Sequence, residues 1–408
     1  LLKYYGKIFQ SRLCFENRLS NYREHHVDPK DFRCAEAGRV VRTAEGYHAF
    51  VPAPLPPVIR YDAALALALS RADSALSELS GLGRLLPNPH LLIAPYVRRE
   101  AVLSSRIEGT RATLSDILLD EMDADVPHGD AADVREVRNH VSALEYGIKR
   151  LRTLPLSSRL VRELHARLMK GVRGGYATPG EFRRSQNWIG PRGSTPATAP
   201  YVPPPPAEMQ RALGGWERFM HVRDEMPDLI QCALMHEHFE AIHPFLDGNG
   251  RVGRLLITLF LIERGRLSQP LLYLSAYIEA HRQDYYDLLQ RVRTRCDWSG
   301  WLLFFLTGVA ETARDAIARA NDLMALRDKY RLRLKDKPRA VVLLDELFLN
   351  PYITVARAAE LLKVSNPTAR QAVLHLQKAD MLKEVSGRKW GQLYLAAPIM
   401  KIIEKTAA

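Results

Sequence analysis

PDLIQCALMHEHFEAI (227–242) and RVGRLLITLFLIERG (251–265) carry the apolar content and spacing of two largely buried helices. Between them, and overlapping the second, lies HPFLDGNGRVGR (243–254), which holds a histidine, an acid, three glycines and two arginines. That mixture is poor core material and poor linker material. The chain therefore folds around it as a site, and the arginines make an anion its natural ligand.

Each residue type in the window has a use toward a nucleotide phosphate chain. Gly248 and Gly250 permit a close backbone approach, and the helix that begins near Arg251 aims unpaired N–H groups at the loop. Asp247 can hold a divalent cation, since magnesium favours oxygen ligands and often shares a carboxylate with substrate phosphates. Asn249 can donate to a phosphate oxygen, and Arg251 and Arg254, three apart on one helix, can clamp a polyphosphate. His243 titrates close to neutrality in its ordinary state, which suits it to take a proton from an attacking hydroxyl.

Around this window the pattern is mostly helical, so the expected fold class is all-α dominated. YHAFVPAPLPP (47–57) reads as an extended, proline-punctuated strap. Helices follow from about residue 61, through the PNPH turn at 87–90 to APYVRREAVLSSRIEGT, and over DVREVRNHVSALEYGIKRL and SSRLVRELHARLMKGV, the last stopped at Gly174-Gly175. GEFRRSQNWIGPRGSTPATAPYVPPPP (180–206) changes to short β-prone pieces and prolines, and reads as a small β-hairpin flap. From residue 338 the order becomes helix, helix, turn, helix and two short strands around GRKWG, the order of a winged helix-turn-helix. The expected divisions are an N-terminal extension (1–45), a strap and helical region (46–135), a core (136–337) and the C-terminal domain (338–408).

With 408 residues, 47% hydrophobic and 25% charged, the chain has an ordinary globular composition and can bury a large core. Its net charge of +12 favours anionic partners without choosing among them. Cys14, Cys34, Cys232 and Cys296 lie far apart without CxxC spacing, which argues against a zinc site or disulfide scaffold and for a reducing cytoplasm. No apolar run approaches the roughly 18 to 20 residues that span a bilayer.

HPFLDGNGRVGR resembles the signature HxFx(D/E)GNGRxxR of the Fic (filamentation induced by cAMP) family and matches it at every fixed position. The resemblance extends from the strap to the long helix near residue 330. It implies a Fic helical core and transfer of AMP from ATP to a Ser, Thr or Tyr hydroxyl of a target protein, or of the enzyme itself. His243 would be the base, and Asp247 would hold Mg2+ or Mn2+. Gly248, Asn249, Gly250 and Arg251 would cradle phosphates, with Arg254 at the γ-phosphate. QNWIG (Asn187, Trp188, Ile189, Gly190) matches the flap bordering the nucleotide; a structural hairpin with an apolar tip is the lesser alternative. Tyr285 and Tyr286 match aromatic positions near the adenine, or are core tyrosines, and Arg293 replaces an asparagine found in some relatives.

SSRIEGT (104–110) is similar to the family's inhibitory motif (S/T)xxxE(G/N), with Ser104, Glu108 and Gly109 at its fixed positions. The resemblance implies a self-inhibited member in which Glu108 pairs with Arg254 and blocks the γ-phosphate position. The same glutamate assists AMP removal in some relatives. The C-terminal domain offers basic residues to DNA phosphates, which opens a second reading as a nucleotide-sensing DNA-binding regulator. Winged helices also serve protein contacts, including homodimers.

Overall fold

A computed structural model of the chain describes residues 27–85, 90–122, 129–172, 178–191 and 193–405. Cys14, most of the PNPH turn and the Gly174-Gly175 stop lie outside the described residues. Strands β1 (Gly38–Arg42) and β2 (His48–Pro52) come first, then helices α1 (Ala63–Leu85), α2 (His90–Ile107), α3 (Leu114–Asp120), α4 (Ala131–Arg150), α5 (Ser158–Leu168) and α6 (Pro206–Met220). The signature lies between α7 (Asp228–Ile242) and α8 (Asn249–Glu263), followed by α9 (Ser275–Ala280), α10 (Arg282–Arg295) and the long α11 (Trp298–Arg333). The all-α dominated class is as expected.

Helix starts follow capping chemistry. Thr113 and Asp116 form a reciprocal capping box at α3, while Asp130, Ser157 and Asp297 cap α4, α5 and α11 through side-chain oxygens. Helix α7 has no such cap and follows Pro227, yet every residue from Leu229 to Ile242 is buried. Packing therefore holds this helix where local propensity does not. It crosses α8 closely: a Cβ on Gly253 would lie 2.5 Å from Glu240 Oε1.

Two expectations change. The strap at 47–57 is in part a strand: His48–Pro52 pairs antiparallel with Gly38–Arg42, residues assigned above to the N-terminal extension. Among the described residues, the flap forms an isolated antiparallel bridge between Ile189 and Tyr201 rather than a longer strand pair. The flap's second limb also touches β2, where Phe50 N donates to Val202 O at 2.8 Å.

Cys34 and Cys296 are joined as a disulfide, contrary to the expectation from their spacing. The fold brings them together where Arg33 N donates to Thr294 O at the end of α10, a proximity that linear separation cannot reveal. Cys232 is free and buried.

C-terminal to α11 come α12 (Pro338–Leu349), β3 (Tyr352–Thr354), α13 (Val355–Leu362), α14 (Asn366–Lys378), β4 (Lys383–Glu384), β5 (Leu393–Leu395) and α15 (Ala397–Glu404). The strands form an antiparallel sheet in the order β3-β5-β4. Helix α12 packs against α2, and one apolar core runs from Leu65 to Ile403 without a break at residue 338. Among the described residues, no helix is long and apolar enough to cross a membrane.

Candidate active site

Helix α7 ends at His243, whose backbone enters the left-handed region at φ 49°, ψ 61°. A histidine held there costs energy, so its surroundings must fix it. Arg183 Nε and Asn187 Nδ2 donate to His243 O at 3.0 and 3.2 Å, and Asn187 also reaches Phe245 O at 2.8 Å. The Arg183 guanidinium spans to Ser185 O and Pro204 O, tying the flap region to the end of α7. The His243 ring is mostly buried, and its Nδ1 lies 4.0 Å from Glu240 Oε2.

The loop is folded by its own asparagine. Asn249 Oδ1 accepts from Phe245 N and its Nδ2 donates to Phe245 O, both at 2.8 Å. His165 closes the other side: its Nε2 donates to Asp247 O at 3.0 Å, its Nδ1 accepts from Gly180 N at 2.8 Å, and its ring stacks on Phe245. These partners require the neutral tautomer protonated on Nε2. Asn187 and Asn249 thus spend side-chain groups on the loop's own carbonyls and amides.

Gly248 opens α8 at φ 80°, and a Cβ there would sit 2.9 Å from Met169 Sδ. A Cβ on Gly250 would lie 2.3 Å from Glu108 Oε1. The second glycine therefore gives room to a side chain 142 positions upstream, a separation read from the two residue numbers.

The second arginine has three bonds to the inhibitory-type motif. Arg254 Nε donates to Ser104 Oγ at 2.9 Å, and its Nη2 donates to Ser104 O at 2.9 Å and to Glu108 Oε1 at 2.7 Å. The arginine side chain is 2% exposed and the glutamate 23%. Burial pushes the Glu108 carboxyl up, but the Arg254 charge and hydrogen bond outweigh it and hold the group below its usual range.

The first arginine is also paired. Arg251 Nη1 lies 3.5 Å from Glu136 Oε2 on α4, and Nη2 lies 3.9 Å from Asp247 Oδ1. Asp247 Oδ1 accepts from Gly248 N at 2.6 Å, while burial raises its carboxyl. Its side chain keeps 28% exposure, so a hard cation has access to an oxygen ligand.

Titration is dominated by burial. His243 is pushed down to about 3, chiefly by burial and then by Arg183 and Arg293. Its ring is neutral at pH 7 and keeps a proton-accepting nitrogen. Glu240 is raised to about 7, again by burial.

Tyr285 is buried, with its hydroxyl 2.9 Å from His236 Nε2 and its ring tilted against Trp301; Tyr286 meets it edge-on. Arg293 faces Glu237 at 3.5 Å and lies over the Tyr201 ring. In the flap, Trp188 Nε1 donates to Ser194 O at 2.8 Å, and a Cβ on Gly190 would meet Pro200 and Ser194.

Sequence reasoning passed over Glu136, His165, Arg183, Glu240 and Thr110, all of which touch or support the loop. A faint signal existed for two. Glu136 and His165 sit on the apolar faces of strongly amphipathic helices, where an unpaired polar group is costly.

The description "Fic/DOC family N-terminal" matches residues 54–149, and "Fic/DOC family" matches residues 155–261. A probable protein adenylyltransferase of Aquifex aeolicus is 28% identical over 58% of this chain and 66% of its own length. The protein adenylyltransferase Fic of Aedes aegypti is 32% identical over 32% of this chain and 23% of its own. The chain thus spans less than two thirds of these relatives. A Fic family protein from Desulfovibrio desulfuricans shares the fold, with a TM-score of 0.56 at 19% identity over 84% of this chain and 98% of its own. Two successive family matches, one bearing the SSRIEGT stretch and the other HPFLDGNGRVGR, place this protein in the Fic/DOC family.

Proposed function

We propose that the protein is a protein adenylyltransferase held in check by its own Glu108. The observation that carries the reading is Arg254, whose guanidinium is divided between Ser104 and Glu108 beside the loop that bears His243. An arginine occupied by a carboxylate cannot also orient a triphosphate, and breaking a buried pair by losing one partner is costly. The relatives named protein adenylyltransferase support the same chemistry.

In the proposed reaction, a Ser, Thr or Tyr hydroxyl oxygen of a target attacks the α-phosphorus of ATP. The new P–O bond forms as the bond to the bridging oxygen breaks, and pyrophosphate leaves. Neutral His243 accepts the hydroxyl proton, and an ionised Glu240 beside it would stabilise the resulting imidazolium. Amide groups of Gly248 and Gly250 and the Arg251 guanidinium would neutralise phosphate charge, and Arg254 would do so once Glu108 withdraws. Asp247 would hold Mg2+ or Mn2+, which supplies further charge neutralisation. Trp188, Ile189 and Gly190 would border the nucleotide, with Tyr285 and Tyr286 shaping the wall toward Arg254.

Self-labelling with ATP carrying its label in the α-phosphate tests the reading. Glu108→Gly should raise incorporation at least tenfold, since the pair it removes is a buried one. His243→Ala should abolish it at an unchanged melting temperature. Equal labelling by wild type and Glu108→Gly would sink the inhibitory assignment.

One observation favours a second reading for the C-terminal elements, proposed as a winged helix-turn-helix. Arg370 and Lys378 on α14 and Arg388, Lys389 and Trp390 in the β4–β5 loop are all exposed. They would suit duplex DNA, as phosphate contacts and a stacking group. A shift of random duplex that weakens with added salt, and disappears in Arg370→Ala/Lys389→Ala, is the expected result.

A further inference from the structure

Helix α4 carries a row of buried polar residues, Asp133, Glu136 and His140, of which Glu136 faces Arg251 of the signature. Glu136 is the one that joins two parts of the site. Its Oε2 accepts from Thr110 Oγ1 at 2.7 Å and lies 3.5 Å from Arg251 Nη1. Thr110 follows Glu108 and Gly109 directly. The next residue is tied to the same helix, since Arg111 N donates to Asp133 Oδ2 at 2.8 Å.

We propose that Thr110 and Glu136 form a second latch on the inhibitory segment, and that Glu136 is the positioning residue for Arg251. The inference rests on the adenylyltransferase reading and adds to it a route by which the segment reaches the first signature arginine as well as the second.

The physical case is that one carboxylate oxygen serves two groups. Glu136 and Arg251 side chains are 3% and 4% exposed, so neither charge has solvent to fall back on. Among the contacts of Arg251, Glu136 is the nearer acid; Asp247 stands at 3.9 Å and Met169 offers only sulfur at 3.6 Å. Glu136 therefore sets the direction of the guanidinium. While the Thr110 hydroxyl occupies Oε2, the inhibitory segment stays registered on α4, with Glu108 over Gly250 and against Arg254. When the segment withdraws, the Thr110 hydroxyl no longer shares that oxygen with Arg251. Glu108 and Thr110 thus act on the two arginines from the two sides of Gly109.

The two roles separate by variant. Full-length protein is assayed for self-labelling with α-phosphate-labelled ATP, and folding is checked by thermal melting. Thr110→Val and Thr110→Ala remove the hydroxyl and should each raise the rate about fivefold, the population shift expected from losing one ordinary hydrogen bond. Thr110→Ser keeps the hydroxyl and should label as wild type does. In a Glu108→Gly background the Thr110 changes should have no further effect, because the restraint is already gone. Glu136→Gln in that same background should raise the KM for ATP at least fivefold while kcat stays within twofold, a split that a merely structural role would not produce.

Should Glu108→Gly label strongly while both hydroxyl-free variants match wild type, the latch is wrong. An unchanged KM in Glu136→Gln/Glu108→Gly would overturn the positioning role. Absence of labelling by Glu108→Gly would overturn the adenylyltransferase reading, and this inference with it.

Discussion

Gly250 shows how a single residue can belong to two functions. Its missing Cβ suits a phosphate approach, and in this structure the same space admits Glu108, whose Oε1 would otherwise meet that Cβ at 2.3 Å. Gly250→Ala should therefore destabilise the protein by about 1–3 kcal/mol through overpacking. The loss should shrink when Glu108→Gly is present, because the clashing carboxylate is gone. Urea midpoints of the two single variants and the double variant measure that coupling; strict additivity would show that the glycine serves the loop alone. The asparagines teach a related lesson. Asn187 and Asn249 look like nucleotide contacts in the sequence, yet their side chains bond the backbone of residues 243 and 245. A polar side chain in a signature can act by shaping the loop that presents its neighbours.

Among elements, the turn from α7 to α8 depends on groups that arrive from elsewhere. Arg183 is 1% exposed and bonds carbonyls of His243, Ser185 and Pro204, with burial lowering its own proton affinity to about 10. Replacing it with Met removes this donor from the Ser185 and Pro204 carbonyls and leaves His243 O with Asn187 alone, which should cost about 2–4 kcal/mol. Denaturant unfolding checks the loss, and His243-dependent labelling should fall with it, since His243 would lose one of the two side-chain bonds that hold its left-handed backbone. The helices themselves were legible because amphipathic spacing and Thr113, Asp130 and Ser157 caps are local properties. In the flap, β-prone residues 189 and 201 do come together, but only as a single bridge among the described residues, and the second limb is also bonded to β2, more than 130 residues earlier in the numbering. Strand pairing is a non-local choice, so short-range propensity cannot name the partner.

For the molecule as a whole, burial of ionisable groups sets the response to pH. His140, His236, His238 and His243 are pushed from 6.5 down to about 3, and His165 to about 4, all chiefly by burial. In the folded state they stay neutral where the unfolded chain would bind protons, so they add stability as pH rises toward 6.5. Burial raises Glu100, Glu237 and Glu240 from 4.5 to about 7, with the opposite sign: their contribution is present in acid and is lost as pH climbs to 7. Five histidines oppose three glutamates between 4.5 and 6.5, and above 6.5 only the glutamates still change. The melting temperature should therefore rise from pH 4.5 to a maximum near 6.5; a flat or falling profile over that interval would contradict the balance.

The local chemistry of the site was readable from the chain because HPFLDGNGRVGR is contiguous, and its glycines, acid and arginines have roles that twelve neighbouring residues can define. SSRIEGT was readable only through its resemblance to the family's inhibitory motif, alongside the full signature. The arrangement of partners was not, because it depends on helices crossing: Glu136 reaches Arg251 from α4, His165 reaches Asp247 from α5, and Cys34 meets Cys296 across 262 positions. Sequence specified which groups are available; packing of α2, α4 and α5 around α7 and α8 decided which of them are paired, since a buried charge is stable only beside the partner that the fold delivers.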